Sequence, residues 1–98
     1  MRREDLIRTG DARVASIEMD AFETSPRHFH SNVVENVICL SGRIALHFGE
    51  DDESVVLSPG QRYELAAGTT HRLVNADPRP STYLLVQNGA YDFVFCDS

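Results

Sequence analysis

Four side chains stand out for the chemistry they could do: His28 and His30, one residue apart, Glu35 shortly after, and His71 far downstream. In an extended strand residues i and i+2 point to the same face, so the two close histidines converge if their segment is a strand. Three imidazoles and one carboxylate make a donor set for a divalent metal. Such borderline donors suit Fe, Mn, Ni, Co, Cu or Zn better than Ca or Mg, which prefer oxygen shells. Four protein donors leave a five- or six-coordinate ion one or two positions for water or substrate, whereas a closed tetrahedral zinc would leave none.

These donors have to be held by β structure, because strand signals dominate the chain. Residues 13–22, 27–30, 35–41, 43–48, 55–57, 61–65, 71–75, 82–87 and 91–95 read as strands. Ala15, Ile17 and Met19 share one face, as do Ile44, Leu46 and Phe48. Turn signals separate the runs: Thr24-Ser25-Pro26, Ser58-Pro59-Gly60 and Asn88-Gly89. The acidic stretch 49–53 reads as a solvated hairpin loop. Only residues 2–8 carry a weak helical signal. Many short strands broken by Gly and Pro indicate an all-β sandwich or barrel. Glu35 is an odd number of residues from His30, so one continuous strand would aim it at the opposite face. A turn over residues 31–34 resets the parity and brings Glu35 inward with Val37 and Cys39.

At 98 residues, the chain reads as one domain, 1–98, near the lower size at which a core suffices alone. A metal or a second subunit is expected to help. The net charge of −6, from 15 acids against 9 bases, argues against nucleic acid or an anionic membrane as main partner. No run approaches transmembrane length. Met1-Arg2-Arg3 is basic, but the charged residues Glu4, Asp5 and Arg8 leave no apolar run after it, so no signal peptide is read and a cytoplasmic location is expected. Two cysteines are too few for a disulfide scaffold. Cys39 reads as a buried small hydrophobe and Cys96 as a stray thiol.

Two spacings extend the histidine pattern. From His28 the chain runs His-x-His-x4-Glu-x6-Gly to Gly42, about residues 28–42; from Gly60 it runs Gly-x5-Ala-x-Gly-x2-His-x3-Asn to Asn75, about residues 60–75. These resemble the two motifs of the cupin superfamily, in the form of a small, single-domain, bacterial-type, RmlC-like cupin. Ala66 stands where that family usually carries proline, which removes no ligand. The resemblance implies an antiparallel double-stranded β-helix, or jelly-roll barrel, with the two motifs facing each other. It also implies one divalent transition metal bound by His28, His30, Glu35 and His71.

Tyr63, Arg72, Tyr83 and Gln87 are the polar side chains best able to reach a substrate pocket, with orientations that sequence leaves open. His47 alternates opposite to Ile44, Leu46 and Phe48 and reads as surface or interface. Asn75 reads as a turn-closing residue. Ile38 and Leu40 lie on the face opposite Glu35 and Cys39, so that strand is apolar on both sides. Cover by a second subunit, as a homodimer, is the simplest answer, and the N-terminal segment or the C-terminal strand is the other.

Two functional readings stay open. One is a metal-dependent enzyme, of dioxygenase, isomerase or lyase type, acting on a small oxygenated organic substrate. In it Glu35 is the candidate proton acceptor and no other catalytic residue is assigned. The alternative is a non-catalytic small-ligand-binding or structural module.

Overall fold

Alternation in the sequence becomes an inside and an outside. The computed structural model describes residues 1–96. Its strands are β1 (Arg2–Arg8), β2 (Ala12–Met19), β3 (His28–Phe29), β4 (Val33–Ser41), β5 (Ile44–Phe48), β6 (Glu53–Leu57), β7 (Arg62–Leu65), β8 (His71–Asn75), β9 (Ser81–Gly89) and β10 (Val94–Phe95). They form two five-stranded sheets, ordered β1-β2-β9-β4-β7 and β10-β3-β8-β5-β6. Every pairing between them is antiparallel. The chain is therefore an all-β jelly roll, the double-stranded β-helix.

The core lies between the sheets. Ile17, Met19, Val37, Cys39 and Leu85 of the first sheet meet Ile44, Leu46, Leu57 and Leu73 of the second. Each fully buried aliphatic side chain of this kind contributes about 1.5–3 kcal/mol. That core holds both sheets in the register that positions the polar residues among them.

The turn after β4 depends on Gly42, whose φ is +76°. A Cβ there would collide with the Ser81 side chain, whose Oγ accepts the Arg43 N–H. Glycine at this point therefore sets how closely β4 and β9 can approach.

Four local expectations are corrected. Residues 2–8 are a strand, β1, paired along β2 and exposed throughout. A weak helical signal loses to the free hydrogen-bonding edge of β2. The second strand stops at Met19, and Phe22 takes a left-handed φ of 55° in an exposed turn. Asn88-Gly89 is no tight turn, because β9 runs through it and pairs Asn88 with Val34 and Gly89 with Val33. Of residues 91–95 only Val94 and Phe95 pair; residues 90–93 leave the sheet and cross the histidine cluster.

The outer face of the first sheet keeps an apolar stripe. Val14 pairs with Val86, and Leu84 with Ile38. Leu40 beside them is exposed. β1 extends the sheet edge and β10 joins the other sheet, so neither covers this stripe.

Candidate metal centre

His28 and His30 flank Phe29 and are buried, while Phe29 is half-buried. His28 stands in register with His71 at the start of β8. A second tie joins the two segments: the Gly68 N–H donates to the His30 carbonyl at 2.7 Å. Gly68 has φ +80°, so glycine lets the turn before β8 close against the His30 backbone. Ala66 still forms that turn, its carbonyl accepting the Thr69 N–H at 3.1 Å. On the facing sheet β4 begins at Val33, after the bend at Ser31 and Asn32, and Val33, Glu35, Val37 and Cys39 point inward. Glu35 pairs with Gln87 of β9, and both are buried.

One ring nitrogen from each of His28, His30 and His71 lies within 4.8 Å of the other two. Glu35 closes the group, with Oε1 3.2 Å from His30 Nε2 and Oε2 3.0 Å from His71 Nε2. Gln87 Nε2 donates to Glu35 Oε1 at 2.8 Å. The backbone decides which way each ring presents itself. His28 Nδ1 meets the Pro26 carbonyl at 2.8 Å, His71 Nδ1 meets the Thr69 carbonyl at 2.8 Å, and His30 Nδ1 meets the Asp92 carbonyl. A carbonyl only accepts, so each Nδ1 carries a proton. A ring that is neutral in this tautomer offers its Nε2 lone pair to the centre, the arrangement that orients metal-binding imidazoles.

That arrangement leaves acceptors unanswered. His71 Nε2, Glu35 Oε2 and Gln87 Oε1 are buried without a hydrogen-bond partner. With His71 neutral, its lone pair and that of Glu35 face each other with no proton between. A buried polar group left unpaired costs about 1–3 kcal/mol. A divalent cation would take these lone pairs together, and imidazole with carboxylate fits the transition metals named above. The donor set thus fits such an ion.

Burial pushes His28 down to about 4, so its ring is neutral around pH 7. Burial would also lower His30, but Glu35 and the Asp92 carbonyl hold it above its ordinary value. Burial alone would raise Glu35; the closeness of His30 and His71 and the hydrogen bond from Gln87 outweigh it and keep the carboxyl ionised, well below its usual range.

A cavity of about 130 Å³ opens beside the cluster. His28, His30, Glu35, Tyr83 and Gln87 line it, with Ile17, Leu73, Leu85 and Phe93 as apolar walls and Arg3 also on its lining. Tyr83 is buried, and burial together with the Glu35 charge pushes its phenol well above the usual range, so it keeps its proton. Two other expected pocket residues lie elsewhere. Arg72 falls between the inward His71 and Leu73, so it points outward, 3.9 Å from Asp52. Tyr63 sits on edge strand β7 with its ring against Phe48, 5.0 Å between centroids. His47 is half-buried beside Asp52.

Sequence reasoning misses the segment that roofs the cluster. Phe93 stacks on His28 with centroids 4.3 Å apart, and Tyr91 lies 5.3 Å from His30. Arg13 lies over the Tyr91 ring, 3.7 Å from its centroid. Asp92 supplies the carbonyl for His30, and its carboxylate accepts the Ser31 N–H at 2.7 Å. Alternation of Tyr91 and Phe93 is the available signal, but by itself it reads as an ordinary strand. Arg3 escapes because its segment reads as weakly helical.

Known proteins agree with this architecture. A model of the cupin domain matches residues 15–87. No curated protein matches the chain. A conserved protein with a double-stranded β-helix domain from Klebsiella pneumoniae superposes with a TM-score of 0.87 at 19% identity, over 99% of this chain and 84% of its own. KdgF from Halomonas sp. gives 0.80 at 20% identity, over 92% and 79%. Oxalate oxidase gives 0.78 at 20% identity, over 87% of this chain and 46% of its own. At these identities the likeness is one of fold.

Proposed function

The chain belongs to the cupin domain family, and from that premise we propose that it is a single-domain, metal-dependent protein acting on a small oxygenated organic molecule. His28, His30, Glu35 and His71 are the proposed ligands of one divalent transition metal. The observation that carries this reading is the set of buried, unanswered lone pairs of His71 and Glu35 beside a cavity. A bound transition metal supplies Lewis acidity, or a place to hold dioxygen beside a substrate, the chemistry of dioxygenases, isomerases and lyases. The chain's own residues do the rest. Carbonyls of Pro26, Asp92 and Thr69 fix the imidazoles, and Gln87 holds Glu35. Leu73, Leu85 and Phe93 give the cavity apolar walls, and Glu35 is the candidate proton acceptor.

Elemental analysis of protein purified without added metal tests the centre. About one transition-metal ion per chain is expected. No metal, and no uptake on adding Mn, Fe, Co, Ni, Cu or Zn, refutes it.

A second reading is binding without turnover. Among the described residues lining the cavity, the histidine–glutamate cluster holds the only carboxylate, so no independent base stands beside it. Single-turnover assays with bound small acids and dioxygen separate the two, since an unchanged ligand after prolonged incubation favours binding alone. The reading also includes a cytoplasmic homodimer joined through the Val14–Val86 and Leu84–Ile38 stripe. Light scattering that finds only an 11.0 kDa species would remove the dimer.

A further inference from the structure

We propose that the cavity takes a small carboxylate bearing a second oxygen function, its carboxylate held by Arg3 and Tyr83 at the end remote from the histidines. This rests on the metal reading of the histidine cluster and adds to it the class of ligand.

The register lays out the two ends. Arg3 pairs with Ile17, and Ile17 with Tyr83, so these three share one cross-strand row of the first sheet. Glu35 and Gln87 form a different row. Tyr83 and Gln87 are four residues apart on β9, about 13 Å of strand at roughly 3.3 Å per residue. Leu85 lies between them on the same face, with Leu73 and Phe93 also lining the cavity. The cavity is thus polar at both ends and apolar between.

Its remote end is unfinished. Tyr83 is 3% exposed, and its hydroxyl makes no hydrogen bond among the described residues. Tyr83 thus brings a phenol donor to the cavity lining. Arg3 brings the one guanidinium or ammonium side chain among the described residues that line the cavity. Asp5 accepts from its Nε at 2.8 Å and holds the plane of the group. Neither Nη has a partner among the described residues, so the fork is free. Arg3 and Tyr83 stand two strands apart in that row, roughly 10 Å between backbones, within reach of two long side chains that share one ligand. Two guanidinium N–H groups and a phenol O–H match the lone pairs of a carboxylate; a neutral group would leave the guanidinium unanswered. At the other end the unanswered lone pairs of the cluster call for a metal, and the metal for an oxygen that reaches it.

The test uses Ni(II)-loaded protein and calorimetric titration with succinate, glutarate and adipate, each against its dimethyl ester, which has no carboxylate for Arg3. At least one diacid is expected to bind about tenfold more tightly than its ester. That preference should fall below about threefold in Arg3→Met and weaken in Tyr83→Phe. Arg3→Gln serves as a second charge-removing variant, with circular dichroism confirming the fold of each. If no diacid outperforms its ester, or the preference survives loss of the Arg3 charge, the proposal is wrong. Nickel content of the same samples separates the failures: a protein that takes no metal refutes the metal centre and this inference together. A metal-replete protein without the preference refutes this inference alone.

Discussion

His71 and Asn75 lie on the same inward face of β8, four residues apart and equally buried, yet their surroundings differ in kind. Every polar atom of Asn75 is answered. Its amide nitrogen donates to the carbonyls of Asp20 and Arg79 at 2.9 and 2.8 Å, with Met19 at 3.3 Å. Its oxygen accepts from the Asp77 N–H at 3.1 Å and the Ser81 hydroxyl at 2.6 Å. The side chain clamps the turn after β2 to the loop before β9. His71 is answered on one side only, by the Thr69 carbonyl, and its Nε2 meets a carboxylate that offers no proton. The comparison teaches how to tell a structural polar cluster from a binding one. A buried network that satisfies itself rigidifies the fold, whereas one that leaves lone pairs converging is incomplete without a ligand.

The strongest way to break this contrast is to exchange the two roles. His71→Ala should weaken metal binding at least a hundredfold, roughly 3 kcal/mol, while Asn75→Ala leaves the metal content of the folded protein unchanged. Equal metal loss in both, by elemental analysis of refolded samples, would abolish the distinction. Next in size is the stability side. Asn75→Ala strands the Ser81 hydroxyl and the Asp77 N–H and should cost about 3 kcal/mol in urea unfolding. A cost under about 1 kcal/mol would mean that the network does not clamp the loops.

Metal itself sharpens the comparison. At a free concentration about a hundredfold above its Kd, it should add roughly 2.7 kcal/mol to stability, reversibly lost on chelation. Glu35→Gln, which removes the carboxylate, should lose at least half of that gain in thermal unfolding; an undiminished gain would take Glu35 out of the centre. The smallest effect belongs to the roof. Phe93→Ala removes the ring stacked on His28 and should cost about 1 kcal/mol, with faster metal release in a chelator chase. Unchanged release would leave Phe93 as cavity wall only.

Much of this can be read from the chain. The i, i+2 spacing of His28 and His30, the parity reset before Glu35 and the turn chemistry before His71 are local, and the structure brings these residues into one cluster. Val37 and Cys39 share the inward face for the same reason. What escapes is non-local. Arg3 lies on a strand only because β2 offers a free edge, and nothing within residues 2–8 announces that partner. Tyr91 and Phe93 look like any alternating pair, and their place over the imidazoles depends on where β9 ends. Tyr63 and Arg72 are plausible as pocket residues by type, but one is taken by Phe48 and the other falls on the outward parity of β8.

By itself the sequence determined the chemistry available and its periodicity: three imidazoles and a carboxylate at spacings that strands turn into one face, in a chain of short β runs. The tertiary structure decided which carbonyls orient the rings, which lone pairs go unanswered, and which remote side chains share the cavity. The division comes from range. Strand parity is set by backbone geometry within a few residues, whereas hydrogen-bond satisfaction and cavity shape arise only when distant segments, such as His30 and Asp92 at 62 residues' separation, are packed together.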